Sequence, residues 1–178
     1  MSANNKNHVK DTRTDDQIIE DIINSMENFN IGDIKKISAQ GLMIAAFMLS
    51  GCCIDQLSNY RYYKQITGRS ENFKRFKKFV DEYFPPLYQN KGGDLYSWVR
   101  CSLVHNYSTQ GNFSLAKGVQ EGHYRIAINN AEVLDIDSFV SDLTSAWEKY
   151  KAELKTDPAI RNIALLHHKD YPILVLRS

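Results

Sequence analysis

Arg100, His105 and Tyr107 stand with the spacing R-x4-H-x-Y in LYSWVRCSLVHNYS, residues 95–108, a segment otherwise apolar and aromatic. An arginine buried without a partner is costly, so either its neighbours satisfy it or it faces a cleft and meets a ligand. Histidine ordinarily titrates near pH 6.5 and takes or gives a proton around neutrality, whereas arginine keeps its charge and offers a planar fork that matches two phosphate oxygens. The two together suit the cleavage of a phosphodiester. In a metal-free cleavage of RNA the ribose 2′-hydroxyl is the nucleophile. The histidine handles its proton or that of the leaving group, and the arginine stabilises charge growing on the phosphorus oxygens. DNA lacks that hydroxyl and should be inert. A plainer reading stands beside this one: Arg100 pairs with an Asp or Glu across a helix bundle, His105 caps a helix C-terminus, and Tyr107 is packed in the core with its hydroxyl bonded internally.

No rival chemistry is spelled out elsewhere. The carboxylates are scattered and no H-x3-H or CxxC spacing occurs, so neither a metal nor another cofactor is expected. His167 and His168 are adjacent, which is poor geometry for one metal, and read as a surface residue and a helix-end cation.

The elements that must position the motif follow from apolar spacing. Ile18, Ile19, Ile22, Ile23 and Met26 make one stripe of a helix over 16–29, capped by Asp15 or Asp16. After a break at 30–32, Asp33 caps a long helix to about residue 60, apolar nearly all round in its middle, with Gly41, Ala45 and Ala46 allowing close approach of neighbours. A third helix over 71–83 ends before Pro85 and Pro86, with Phe73, Phe76, Phe79 and Val80 inside. Asp94 caps a fourth, which carries Arg100. From Gly111 the alternation in FSLAKGVQEGHYRIAIN predicts a β-hairpin near 111–130. Asp135 or Asp137 then opens a helix through Phe139, Leu143, Trp147 and Leu154, and Asp157-Pro158 opens a last short one, followed by an extended tail.

With 178 residues the chain suits one domain, over 15–178, preceded by a polar, flexible arm over 1–14. Lys and Arg number 22 against 21 Asp and Glu, so the net charge of +1 gives no global pull toward nucleic acid or membrane. The most apolar run, 42–54, is well short of the ~20 residues that cross a bilayer. Three cysteines, two of them adjacent, argue for a reducing and hence cytoplasmic setting.

With R-x4-H-x-Y near the end of an amphipathic helix, the sequence resembles the HEPN superfamily. It is most like the HEPN toxins of prokaryotic toxin–antitoxin pairs, which carry this motif on a late helix of an all-α bundle. The resemblance covers about 16–107 and the helix from 137, with hairpin and tail as embellishments. Many HEPN proteins have a polar residue such as Asn directly after the arginine, where this chain has Cys101. The resemblance implies a mainly all-α, HEPN-like antiparallel helical bundle that forms a homodimer. It also implies a metal-independent endoribonuclease of a toxin–antitoxin or antiphage defence system, with Arg100 and His105 catalytic and Asn106 supporting the site. A nucleotidyltransferase-type antitoxin would attach AMP to Tyr107, placing bulk and negative charge beside the arginine. The alternative is a non-catalytic helical module that dimerises or docks a partner.

Two further observations bear on RNA. Between residues 61 and 80 the cations Arg61, Lys64, Arg69, Lys74, Arg75, Lys77 and Lys78 face a single Glu71. Lys74, Arg75, Lys77 and Lys78 are candidate phosphate contacts, with Tyr62 and Tyr63 to stack on bases, unless the strip is a solvated helix face over core phenylalanines. Five residues on an ideal helix advance about 140° and 7.5 Å, so Arg100 and His105 share no face of a continuous α-helix. Unless the helix loosens near His105, a two-fold dimer is needed to bring two arginines and two histidines into one cleft. A buried acidic partner on Arg100 would favour the module, and an open basic cleft at a dimer seam the nuclease.

Overall fold

Thr14 opens the first helix: its hydroxyl accepts from the Gln17 N–H while the Gln17 side chain takes the Thr14 N–H, a capping box in place of the expected Asp15 or Asp16. The computed structural model describes residues 12–124, 127–128 and 131–172. Of the predicted arm, Thr14 is this cap and Arg13 pairs with Asp21 at 2.6 Å; residues 1–11, like most of the predicted extended tail, lie outside the described residues.

α1 (Asp15–Ser25) runs through a π-helical turn (Met26–Ile31) into α2 (Gly32–Ala39) without the break expected at 30–32. Gly32 is there for space: a Cβ would meet the Glu27 carbonyl oxygen, which accepts the Gly32 N–H, at 2.7 Å. The break comes later, at Gly41. With φ of 78° it closes α2 by donating to Ser38 O while Leu42 donates to Ile37 O, a Schellman pattern. Nothing lies within 4 Å of a Cβ at Gly41, so it serves this turn and not the close helix approach expected of it.

α3 (Met43–Tyr62) is the central helix, packed by α2, α4 (Glu71–Tyr83), α7 (Ile136–Thr156), α8 (Pro158–Asp170) and the motif helix. Its own Phe47, Tyr60 and Tyr62 are buried together with Phe76, Phe79, Tyr88, Phe139, Trp147 and Tyr150, and each buried phenylalanine contributes about 1.5–3 kcal/mol. Asp135 and Asp157 cap α7 and α8 as expected. No helix among the described residues is long and apolar enough to cross a membrane.

The chain is mainly helical with a small β insertion, but that insertion is not the predicted hairpin. β1 (Phe113–Ala116) pairs in parallel with β3 (Ala131–Asp135), and β2 (Ala127–Ile128) pairs with β3 antiparallel, giving the order β1-β3-β2. Alternation marks a strand but not its partner. The intervening turn is fastened by side chains: Val119 N–H donates to Asp135 Oδ2 and Asp135 N–H to His123 Nδ1.

Candidate functional site

The motif helix begins at α5 (Gly92–Asp94), continues as a π-helical segment (Leu95–Ser102) and ends as α6 (Leu103–Asn106). Asp94 lies within it and caps nothing with its side chain. The Leu103 N–H reaches back five residues to Trp98 O. Hydrogen bonding over five residues brings residues five apart toward one side, so Arg100 and His105 are offset by less than in a continuous α-helix. The geometric need for a second copy is weaker than the sequence suggests.

Leu95, Val99, Ser102 and Leu103 anchor the inner face. Gly51 of α3 meets this helix at Arg100, where a Cβ on Gly51 would lie 3.2 Å from Arg100 Cα. One turn further along α3, Asp55 Oδ2 accepts a 2.9 Å hydrogen bond from Arg100 Nε. Burial opposes the guanidinium's charge, but the bond and charge of Asp55 outweigh it and raise its pKa. The acidic partner of the plainer reading is therefore present. The pairing uses Nε alone, and neither Nη makes a hydrogen bond among the described residues.

The flanks are Tyr96, Cys52 and Cys101. Tyr96 sets its ring against Phe73 and Phe76 of α4 at 5.4 and 5.2 Å, and burial, followed by the nearby Cys101 and Asp55, raises its phenol. Burial also raises the Cys52 thiol, against the pull of Arg100.

His105, Asn106 and Tyr107 are exposed at the end of the helix. Tyr107 takes φ of 55°, which stops the helix, and is 68% exposed, so the core position considered for it is ruled out. Asn106 makes one long contact, Nδ2 to Ser102 Oγ at 3.4 Å.

The basic strip divides. Arg75 is 3% exposed and donates to Ile66 O through Nε and Nη2 and to Asn59 Oδ1 through Nη1. Fully engaged inside the fold, it is no phosphate contact, contrary to expectation. Tyr62 is likewise buried, its hydroxyl on Glu82, and offers no stacking face. Lys77 and Lys78 pair with Asp81 and Glu82 one turn on, while Lys74 is exposed.

The sequence reading missed a buried network in the β insertion. His123 Nδ1 accepts from Asp135 N–H, its Nε2 lies 2.7 Å from Tyr88 Oη, and Tyr88 donates to Asp142 Oδ2. Burial lowers the His123 pKa and raises that of Asp142, which opens on a shallow cleft with Ser138, Ser141 and Glu121. Alternating strand residues gave no sign of it. His167 and His168 also depart from expectation. His168 is buried against Arg13, and His167 stacks among Tyr60, Tyr63 and Tyr171 at 4.4–5.3 Å.

No family model, curated protein or solved structure matches this chain.

Proposed function

We propose that this chain is a HEPN-like, metal-independent endoribonuclease of a toxin–antitoxin or antiphage defence system, acting as a homodimer through Arg100 and His105. The observation that carries the reading is the pair of Nη nitrogens that half-buried Arg100 leaves without hydrogen bonds among the described residues, on the same helix as an exposed His105. Arg100 takes the scissile phosphate, and His105 moves the proton of the 2′-hydroxyl or of the leaving 5′-oxygen. The product ends are then a 2′,3′-cyclic phosphate and a free 5′-hydroxyl. The accessible Tyr107 fits a modification switch: AMP added there by a nucleotidyltransferase-type antitoxin brings a phosphate that competes with RNA for Arg100.

The second reading, a non-catalytic helical module for dimerisation or partner docking, is favoured by the Asp55–Arg100 pair, which neutralises the arginine's charge. Digestion in EDTA of matched RNA and DNA oligonucleotides separates the two. Cleavage of RNA alone, lost in Arg100→Ala, supports the nuclease. Intact RNA at stoichiometric protein supports the module.

A further inference from the structure

We propose that Asp55 is the positioning residue of this site: it grips Arg100 from behind through Nε, so that both Nη nitrogens face outward and take one phosphate group bidentately. The proposal rests on the reading of Arg100 and His105 as an RNA-cleaving pair and adds a residue from another helix. Asp55 is 8% exposed, and its Oδ2 bonds Arg100 Nε at 2.9 Å. Its Oδ1 is buried with no hydrogen-bond partner. An ionised carboxylate accepts several donors, and a buried one left short of them is a poor stabiliser. Stability alone therefore gives a weak reason for an acid at this helix crossing.

Orientation gives a better one. A guanidinium held by Nε can rotate little, and Gly51 fixes the backbone beneath it by letting α3 approach Arg100 Cα closely. Tyr96, one turn earlier on the motif helix and seated against Phe73 and Phe76, borders the same cluster. What remains open is the planar Nη pair, whose geometry matches two phosphate oxygens. The Asp55–Arg100 pair is locally neutral, so it selects phosphate by shape more than by charge. Removing the Asp55 charge makes the site more cationic but less ordered, so anion binding and turnover should respond in opposite directions.

The test is Asp55→Asn, which is nearly isosteric, assayed on an RNA oligonucleotide in EDTA. The expected result is a kcat about 10- to 100-fold lower with KM unchanged or reduced. In a His105→Ala background, the same change leaves the Kd for a non-cleavable 2′-O-methyl oligoribonucleotide equal or tighter. A wild-type kcat, or a raised KM at constant kcat, overturns the proposal. If Asp55→Asn does not fold, Arg100→Lys replaces it, keeping the charge but lacking Nε and the fork. It should show the same loss of kcat with the 2′-O-methyl oligonucleotide still bound, and full kcat would overturn the idea. If wild type cleaves RNA and Asp55→Asn matches it, the positioning role alone falls. If wild type cleaves nothing and Arg100→Ala binds the 2′-O-methyl oligonucleotide unchanged, the RNA reading falls and this proposal with it.

Discussion

Arg75 is buried and Arg100 half-buried, and only Arg100 keeps guanidinium nitrogens without a hydrogen bond among the described residues. Arg75 spends Nε, Nη1 and Nη2 on Ile66 O and Asn59 Oδ1, with Glu71 ion-paired to Nη2 at 3.3 Å, whereas Arg100 spends Nε alone. Arg75→Ala leaves two acceptors unsatisfied and should cost about 2–4 kcal/mol in urea denaturation. Lys74→Ala, on the exposed face, should stay within about 0.5 kcal/mol. Equal effects would mean that Arg75 is not the internal clasp described above. The sequence signals that Arg100 needs a partner, but not that the partner is Asp55, 45 residues away. Asp55 is preceded by an apolar run and belongs to no local motif, so only the helix crossing identifies it. Asn106, Ser108 and Gly111 announce the end of the helix, but they did not decide between a core and an exposed position for Tyr107, which the structure leaves 68% exposed.

The expected caps hold at Asp135 and Asp157 but not at Asp33 and Asp94, which lie inside continuous helices, and boundaries were read poorly where a glycine has two meanings. Gly32 resembles a break and lies inside a helix; Gly41 resembles a packing residue and ends one. Local composition does not separate these cases, since a carbonyl 2.7 Å away and a φ of 78° are both three-dimensional facts. Gly51, which sets the approach of α3 to the motif helix, shows no sequence signal beyond its small size. Gly51→Ala should push the two helices apart, costing about 1–3 kcal/mol by overpacking, and should lower RNA cleavage. Gly41→Ala has open space and only backbone strain, about 1 kcal/mol, with cleavage unchanged. Equal losses of activity in the two variants would separate the Gly51 contact from the site's function.

At the scale of the whole molecule, stability should depend on two imidazoles kept neutral by the fold. Burial lowers His123, and burial followed by the charges of Arg75 and His168 lowers His167 to about 4. Both have a lower pKa folded than unfolded, so below about pH 6.5 the unfolded chain binds more protons. Their contribution is complete above that pH and declines as pH falls below it, for His167 as far as about pH 4, by at most about 1.4 kcal/mol per pH unit per imidazole. Urea midpoints measured from pH 7.5 to 4.5 should fall, and His123→Gln should flatten the slope; a constant midpoint contradicts this. Sedimentation at micromolar concentration should return a dimer, and a strict monomer that still cleaves RNA would show that one chain holds the whole site. The most direct measurement is mass analysis of the fragments left when wild type and His105→Ala are incubated with one RNA oligonucleotide in EDTA. Wild type should leave 2′,3′-cyclic phosphate and 5′-hydroxyl ends, with at least 100-fold less product from His105→Ala, about the lower end of a general acid–base contribution. Equal cleavage by both proteins, or none by either, would contradict the assignment of Arg100 and His105 as the catalytic pair.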